Sequence, residues 1–195
     1  MEDNSAELVI RLQKGDKAAF DRIFKLYKVK AVRTAYLLTN NKALAEDITQ
    51  EAFVQCYLKI RNLKNPMQFK TWFFKSLTRI AWRMSAKEKT VVPVENIFEL
   101  ADYKDTEQIE LDFINKENAE KIMSAVNRLE EKQKTTVLLY YYNEFSVSEI
   151  ASIMGCFEGT VKSRLHTARK NLKKSLQIQE TGTGEGVTDA VIYKV

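Results

Sequence analysis

Residues 146–172 combine the pattern of a helix-turn-helix with that of a long basic helix. Ser146 and Glu149 have capping-box spacing, in which the hydroxyl accepts the N–H three residues on and the carboxylate accepts the N–H of the capping residue. Gly155 can adopt the left-handed backbone that ends a helix. Beyond it, apolar side chains recur at helical spacing, at Val161, Leu165, Ala168, Leu172 and Leu176. The sequence therefore predicts a short helix, a turn and a long helix with one packing face.

The opposite face of the long helix carries hydrogen-bond donors and positive charge. It presents Ser163, His166 and Lys170, flanked by Lys162, Arg169 and Lys173. The major groove of DNA accepts a helix of this kind. An amphipathic helix pair with an ordinary solvated basic face is the alternative. The compact spacing of cap, small residue, glycine turn and basic helix favours DNA binding.

A second basic region covers residues 54–87. Its 34 residues contain eight lysines and arginines and no carboxylate, and the aromatic residues among them are Tyr57, Phe69, Trp72, Phe73, Phe74 and Trp82. Single-stranded nucleic acid needs such a combination, because charge follows the phosphates and flat rings stack on unpaired bases. We expect Phe69 and Trp72 to pack in the core. At least one of Phe73, Phe74 and Trp82 should be exposed, since these three side chains cannot all share that buried face.

An acidic ridge precedes this basic region and is formed by Glu46, Asp47, Gln50 and Glu51 at helical spacing. A helical carboxylate metal centre needs histidine partners, and the single histidine, His166, lies in the other half of the chain. A solvated helix face is the plain alternative. Docking of another protein is favoured by the position of the ridge beside a basic surface.

The distribution of breaker residues predicts an all-α fold, because prolines and glycines are few and β-branched alternation is nearly absent. Two small helical domains are expected, at residues 1–89 and 113–178, the second containing the helix-turn-helix. Residues 90–112 are predicted to be an acidic flexible linker, since they hold seven carboxylates against one lysine. The glycine-containing residues 179–195 predict a disordered tail.

Bulk properties restrict the class of protein. The net charge of +5 is consistent with an anionic partner. Cys56 and Cys156 lie far apart and lack metal-binding spacing, so they are expected to be reduced thiols. The N-terminus shows no signal sequence, and no apolar run approaches the roughly 18 residues needed to cross a membrane. We therefore expect a cytoplasmic protein.

Together these motifs resemble a family, the extracytoplasmic function (ECF) group of sigma factors of bacterial RNA polymerase. The resemblance covers nearly the whole chain, from about Glu7 to Leu176. The segments that carry it are Gly15–Phe20, Ala45–Phe53, Phe69–Trp72 and Ser148–Leu165. It implies an alternative sigma factor that binds core polymerase and directs promoter-specific transcription initiation.

The resemblance also implies roles for residues of this chain. Residues that would dock on the clamp coiled coil of core polymerase are Glu46, Asp47, Gln50, Glu51 and Phe53. The loop from Leu63 to Pro66 (the −10 loop) and the helix after it would contact the −10 element as it opens. Their contact residues would be Lys64, Asn65, Lys75, Arg79, Trp82 and Arg83. Residues in or beside the −35 major groove would be Thr160, Lys162, Ser163, Arg164, His166, Thr167 and Lys170. A membrane-anchored anti-sigma factor is a further expected partner, and no cofactor, metal or small-molecule substrate is expected.

Four positions depart from the family pattern. Arg79 and Arg83 stand where asparagine and aspartate are frequent, so the −10 surface is more basic than usual. Thr167 replaces a common arginine, and Phe157 replaces a small capping residue.

Two other functions are compatible with parts of the sequence. A self-sufficient helix-turn-helix regulator would explain the C-terminal half, but it leaves the acidic ridge and the basic aromatic region unexplained. A metal-dependent nuclease is the least supported, because no histidine–cysteine cluster, phosphate-binding glycine loop or serine–histidine arrangement is present.

Overall fold

The computed structural model describes residues 5–87 and 114–177, and within these ranges the chain forms helices joined by turns. The all-α prediction is confirmed. The predicted linker and tail lie outside the described residues. The chain divides into two compact units, which are described separately. None of the helices in the described ranges is long and apolar enough to cross a membrane.

The first unit contains four α-helices: α1 (Ser5–Gln13), α2 (Lys17–Thr39), α3 (Lys42–Lys59) and α4 (Phe69–Ser85). Two short 3-10 helices, Ile60–Asn62 and Pro66–Gln68, connect α3 to α4. The second unit is built around α5 (Ile114–Asn127), α6 (Glu131–Val137), most of α7 (Val147–Met154) and α8 (Glu158–Gln177). A π-helical turn, Leu138–Tyr142, follows α6.

Local capping residues set the helix ends in the first unit. Gly15 has a φ of +96°, a left-handed conformation that turns the chain between α1 and α2. Asp16 caps α2, because its Oδ1 accepts the N–H groups of Ala18 at 2.9 Å and Ala19 at 3.3 Å. Asn40, at φ +56°, ends α2, and Asn41 caps α3 by accepting the N–H of Leu44 at 3.0 Å. These residues therefore separate α1 from α2 and α2 from α3.

Aromatic packing holds the first unit together. Phe69, Phe73 and Phe74 are fully buried. The ring of Phe73 lies 4.8 Å from that of Phe53 on α3, and Phe69 lies 5.2 Å from Tyr27 on α2. Aromatic pairs at such separations add specific attraction to the burial of apolar area.

The burial pattern of α4 corrects part of the prediction. Core packing holds for Phe69 but not for Trp72, which is only half-buried. Of the other three aromatics, Trp82 is likewise half-buried, while Phe73 and Phe74 are both buried, so none of the three is fully exposed. Adjacent residues can both be buried because α4 contacts α1, α2 and α3, so its packing face is wider than a single stripe.

The second unit packs along α8, which lies against α5 and α6. Its predicted apolar stripe is buried at Val161, Leu165, Ala168 and Leu172, while Leu176 is half-buried. The capping box is present: Ser146 Oγ accepts the N–H of Glu149, and the Glu149 carboxylate accepts the N–H of Ser146 at 2.9 Å. These contacts fix the start of α7.

Candidate nucleic-acid and protein interfaces

The turn of the helix-turn-helix has the expected geometry. Gly155 is left-handed, with a φ of +65°, and its N–H donates to the carbonyl of Ala151. The chain enters α8 through Phe157, whose carbonyl accepts the N–H groups of Thr160 and Val161. The ring of Phe157 is 87% exposed, which makes it the most exposed large apolar side chain among the described residues.

The exposed face of α8 carries most of the residues predicted to contact the −35 element. Exposed members of that set are Lys162, Ser163, His166, Thr167 and Lys170. Thr160 is half-buried at the start of the helix. Arg164 is also half-buried, and its guanidinium lies 3.7 Å from the sulfur of Cys156 as a hydrogen-bond donor. The structure therefore places Arg164 beside the turn and not with the exposed basic side chains.

Arg169 has a different environment on the same helix. Its Nε donates a hydrogen bond of 2.7 Å to the hydroxyl of Tyr141. Its guanidinium also lies 5.8 Å from the ring centre of Tyr140 and 5.7 Å from that of Tyr141. These cation–π contacts fasten α8 to the π-helical turn.

The residues predicted to contact the −10 element occupy two places in the first unit. Lys64 and Asn65 are exposed in the −10 loop, where the Asn65 side chain accepts the N–H of Met67 at 3.1 Å. Lys75, Arg79 and Arg83 follow one another at four-residue spacing, so they share one face of α4. Arg79 and Arg83 are exposed, whereas Lys75 and the neighbouring Trp82 are half-buried.

Arg83 makes an ion pair with Glu51 of the acidic ridge. A residue predicted to contact DNA is thus bound to a residue predicted to dock on polymerase, across 32 positions of sequence. The side chains are 54% and 32% exposed, respectively. Exposed pairs of this kind are weak, so either residue can leave the pair at little cost.

The other predicted docking residues divide between the surface and the core. Glu46, Asp47 and Gln50 are exposed. Phe53 is only 3% exposed, and its ring lies 4.7 Å from that of Phe24. A docking partner could therefore meet Phe53 only as the floor of a depression.

Such a depression exists between α2 and α3. It is an apolar groove of about 600 Å³ beside the acidic ridge. Residues that line it are Phe20, Phe24, Lys28, Val32, Glu46, Thr49, Gln50, Phe53, Val54, Tyr57 and Leu58. Val54, Tyr57 and Leu58 are exposed, and Leu58 reaches 68%. Asp47 and Glu51 do not line the groove, so the ridge faces it only through Glu46 and Gln50.

Val54 and Leu58, two exposed apolar residues of this groove, were not predicted from the sequence as part of a site, and Tyr57 was predicted only as part of the basic aromatic region. A signal was present, because α3 carries Val54, Tyr57 and Leu58 in addition to the apolar side chains that its buried face needs. Three large apolar residues outside one helical stripe indicate a surface that another molecule covers.

Comparison with known proteins gives the family. Residues 23–90 match the family model described as sigma-70 region 2, and residues 119–172 match that described as sigma-70, region 4. The ECF RNA polymerase sigma factor SigW of Bacillus subtilis is 31% identical over 180 residues, which cover 86% of this chain and 94% of SigW. The chain belongs to the ECF sigma factors.

A further relative agrees with this membership, and two solved structures have a similar fold. The RNA polymerase sigma-H factor of Pseudomonas aeruginosa is 28% identical over 184 residues, covering 90% of this sigma factor and 95% of its relative. CnrH, solved in complex with the cytosolic domain of CnrY, has a TM-score of 0.69 at 17% identity, covering 91% of this chain and 100% of CnrH. RpoE from Bartonella quintana, solved with the anti-sigma factor NepR, has a TM-score of 0.62 at 24% identity. The match covers 83% of this chain and 98% of RpoE. These two structures support the fold.

The protein is therefore an alternative RNA polymerase sigma factor, as the leading prediction held. Its family consists of transcription initiation factors. The roles of individual residues follow from their placement and are proposed below.

Proposed function

We propose that this sigma factor docks on core RNA polymerase through the groove between α2 and α3. The observation that carries the proposal is the coincidence of an apolar groove with the acidic ridge. Exposed Val54 and Leu58 supply apolar area, and Glu46 and Gln50 at the rim supply polar contacts. Asp47 and Glu51, on the part of the acidic ridge outside the groove, supply charged contacts to the same partner. An interface needs both, since a desolvated apolar centre gives affinity and a polar rim gives orientation.

We assign the −10 loop and the Lys75–Arg79–Arg83 face of α4 to the −10 element. Residues 54–87 are rich in lysine and arginine and contain no carboxylate, which suits contact with the phosphates of an opening strand. Half-buried Trp82 on the same helix can offer part of its ring to an unpaired base.

We assign the exposed face of α8 to the −35 element. Ser163, His166 and Thr167 can read base edges in the major groove, while Lys162 and Lys170 contact phosphates. Arg164 is assigned a supporting position at the turn, because its guanidinium is directed at Cys156.

We further propose that the protein acts in the cytoplasm, that an anti-sigma factor holds it inactive, and that it catalyses no reaction itself. The two structurally similar proteins were solved with a bound partner: CnrH with the cytosolic domain of CnrY, and the sigma factor RpoE with the anti-sigma factor NepR. A membrane-anchored partner of this class would compete with core polymerase for the sigma factor.

The docking proposal is tested by the same substitution at two exposed leucines, one inside the groove and one outside it. Leu58→Asp places a carboxylate in the groove, whereas Leu26→Asp places one on α2 outside it, at a leucine that is 59% exposed. Neither leucine is in the core, so both variants should fold. We expect Leu58→Asp to lose co-purification with bacterial core polymerase and Leu26→Asp to retain it. Equal binding by the two variants would contradict the groove as the docking site.

A footprint distinguishes this role from that of a self-sufficient regulator. We expect holoenzyme to protect promoter DNA at salt concentrations where the isolated sigma factor does not. The physical reason is that each DNA-binding unit is small and its few phosphate contacts weaken steeply with salt. Comparable protection by the isolated protein would favour independent duplex binding.

A further inference from the structure

The −10 loop is held by a side chain from a helix far away in sequence. Gln13, the last residue of α1, donates from its amide nitrogen to the carbonyl of Ile60 at 2.9 Å and to the carbonyl of Leu63 at 2.7 Å. The sequence separations are 47 and 50 residues. One amide group therefore ties α1 to both sides of the turn that leads into the loop.

The two carbonyls that Gln13 binds lie at the short 3-10 helix before the loop, one at its first residue and one just after its end. Leu63 follows the 3-10 helix Ile60–Asn62, and the carbonyls at the end of a helix find no N–H donor within it. The Ile60 carbonyl also accepts the N–H of Leu63 at 3.1 Å, so Gln13 adds a second donor to it. The side chains of Ile60 and Leu63 are buried, while Lys64 and Asn65 beyond them are exposed. The backbone is thus anchored one residue before the predicted −10 contacts begin.

The end of α1 that carries Gln13 is itself fixed. Arg11 donates to the Asp16 carboxylate from two nitrogens, at 2.9 and 2.7 Å, and this pair spans the turn at Gly15. The hydrogen bond from Arg11 lowers the pKa of Asp16 below its ordinary value. Gln13 therefore projects from a turn that is closed both by this partly exposed pair and by the Asp16 cap of α2, and side chains supported in this way hold loop contacts in a productive geometry.

The helix that does this lies outside the family-model match, which begins at residue 23. We propose that Gln13 is a positioning residue for promoter opening: its amide sets the backbone from which Lys64 and Asn65 meet the −10 element. Gln13 itself touches no DNA in this role. The inference rests on the proposed assignment of the −10 loop.

Three full-length variants test the inference in holoenzyme reconstituted with bacterial core polymerase. Gln13→Met keeps the length of the side chain and removes both donors. Gln13→Lys keeps a donor group that can reach both carbonyls. Asn41→Ala is the matched control, because it removes a cap in the same unit at the start of α3. The 18 residues of α3 place that cap about 27 Å from the end of the helix that leads to the loop, at about 1.5 Å per residue.

Two measurements are made on each variant. Amide hydrogen exchange at Leu63–Asn65 measures how firmly the loop backbone is held. Promoter discrimination by the holoenzyme measures the functional effect. Discrimination is the ratio of open complexes on a promoter that wild-type holoenzyme transcribes to those on the same promoter with its −10 element scrambled. Loss of two hydrogen bonds should speed local exchange about tenfold and lower discrimination at least about threefold in Gln13→Met, with closed-complex affinity within about twofold of wild type. Gln13→Lys should restore both, and Asn41→Ala should change neither.

The inference is overturned if Gln13→Met leaves discrimination unchanged or if Asn41→Ala lowers it equally. Lys64→Ala separates this failure from failure of the proposed function. If Lys64→Ala lowers discrimination and Gln13→Met does not, only the positioning role is wrong. If neither does, the assignment of the loop to the −10 element fails, and the positioning role fails with it.

Discussion

The ion pair between Glu51 and Arg83 joins the proposed docking ridge to the proposed −10 face, and breaking it from either side should have opposite effects. Glu51→Gln removes the carboxylate charge with little change of shape. Arg83→Ala removes the partner and leaves the carboxylate free. Both variants lose the same pair, so any difference between them reports what each residue does elsewhere.

The size of the pair follows from its exposure. Its side chains are 32% and 54% exposed, so solvent screens the attraction and the pair should contribute only about 0.2–1 kcal/mol to folding. A loss of about 1 kcal/mol shifts the Tm of a domain of 60–100 residues by about 4–8 °C, which sets the upper limit for either variant.

Core binding should respond differently. Docking through Glu51 requires the carboxylate to leave Arg83, so Arg83→Ala should strengthen binding by up to about fivefold, the equivalent of about 1 kcal/mol. Glu51→Gln should weaken it by about tenfold or more, as expected for the loss of a charge-assisted contact. The double variant should resemble Glu51→Gln.

The assay is a titration of core polymerase with labelled sigma factor at two salt concentrations, with thermal melts of the same preparations. Glu7→Gln, an exposed carboxylate on α1, is the matched control and should bind as wild type. If Arg83→Ala weakens core binding as much as Glu51→Gln does, the intact pair is what docking needs, and the reasoning is refuted.

Three further predictions concern the second unit and the DNA contacts. Burial lowers the pKa of Lys134 from 10.5 to about 8, so the unfolded chain holds more protons between these values and stability should rise with pH across that window. Lys134→Met should remove this rise, as measured by denaturant titrations. It should also stabilise the unit at pH 7 by at most about 3 kcal/mol, since a pKa shift is worth about 1.4 kcal/mol per unit. Stability of the wild type that does not change with pH in this window would contradict the prediction. Arg79→Ala should reduce permanganate reactivity at the −10 element and spare closed-complex affinity; the reverse pattern would refute its assignment. Thr167→Arg should shift −35 preference toward guanine by about 1–3 kcal/mol in binding-site selection, and an unchanged preference would place Thr167 outside the base contacts.

Much of the helical framework could be predicted because its signals are local. Asp16, Asn41 and Ser146 accept backbone N–H groups two or three residues away, so a reader of the sequence sees donor and acceptor together. The buried stripe of α8 is equally local, because helical spacing alone places Val161 and Leu165 on one face. The exposed face of that helix follows by exclusion.

Tertiary structure decided what lies on more than one helix. The burial of both Phe73 and Phe74 depends on the helices that surround α4, which its own periodicity does not state. The groove arises only where α2 and α3 leave apolar side chains uncovered between them.

Sequence alone supplied the chemical types of the candidate site residues, because charge and hydrogen-bonding capacity are properties of single side chains. It did not supply their partners. The contacts of Gln13 with Ile60 and Leu63 span 47 and 50 residues, and the Glu51–Arg83 pair spans 32. The direction of Arg164 toward Cys156 likewise depends on how the turn before α8 closes. Such pairings are set by the packing of whole helices, since only the folded chain brings groups so distant in sequence within hydrogen-bonding distance.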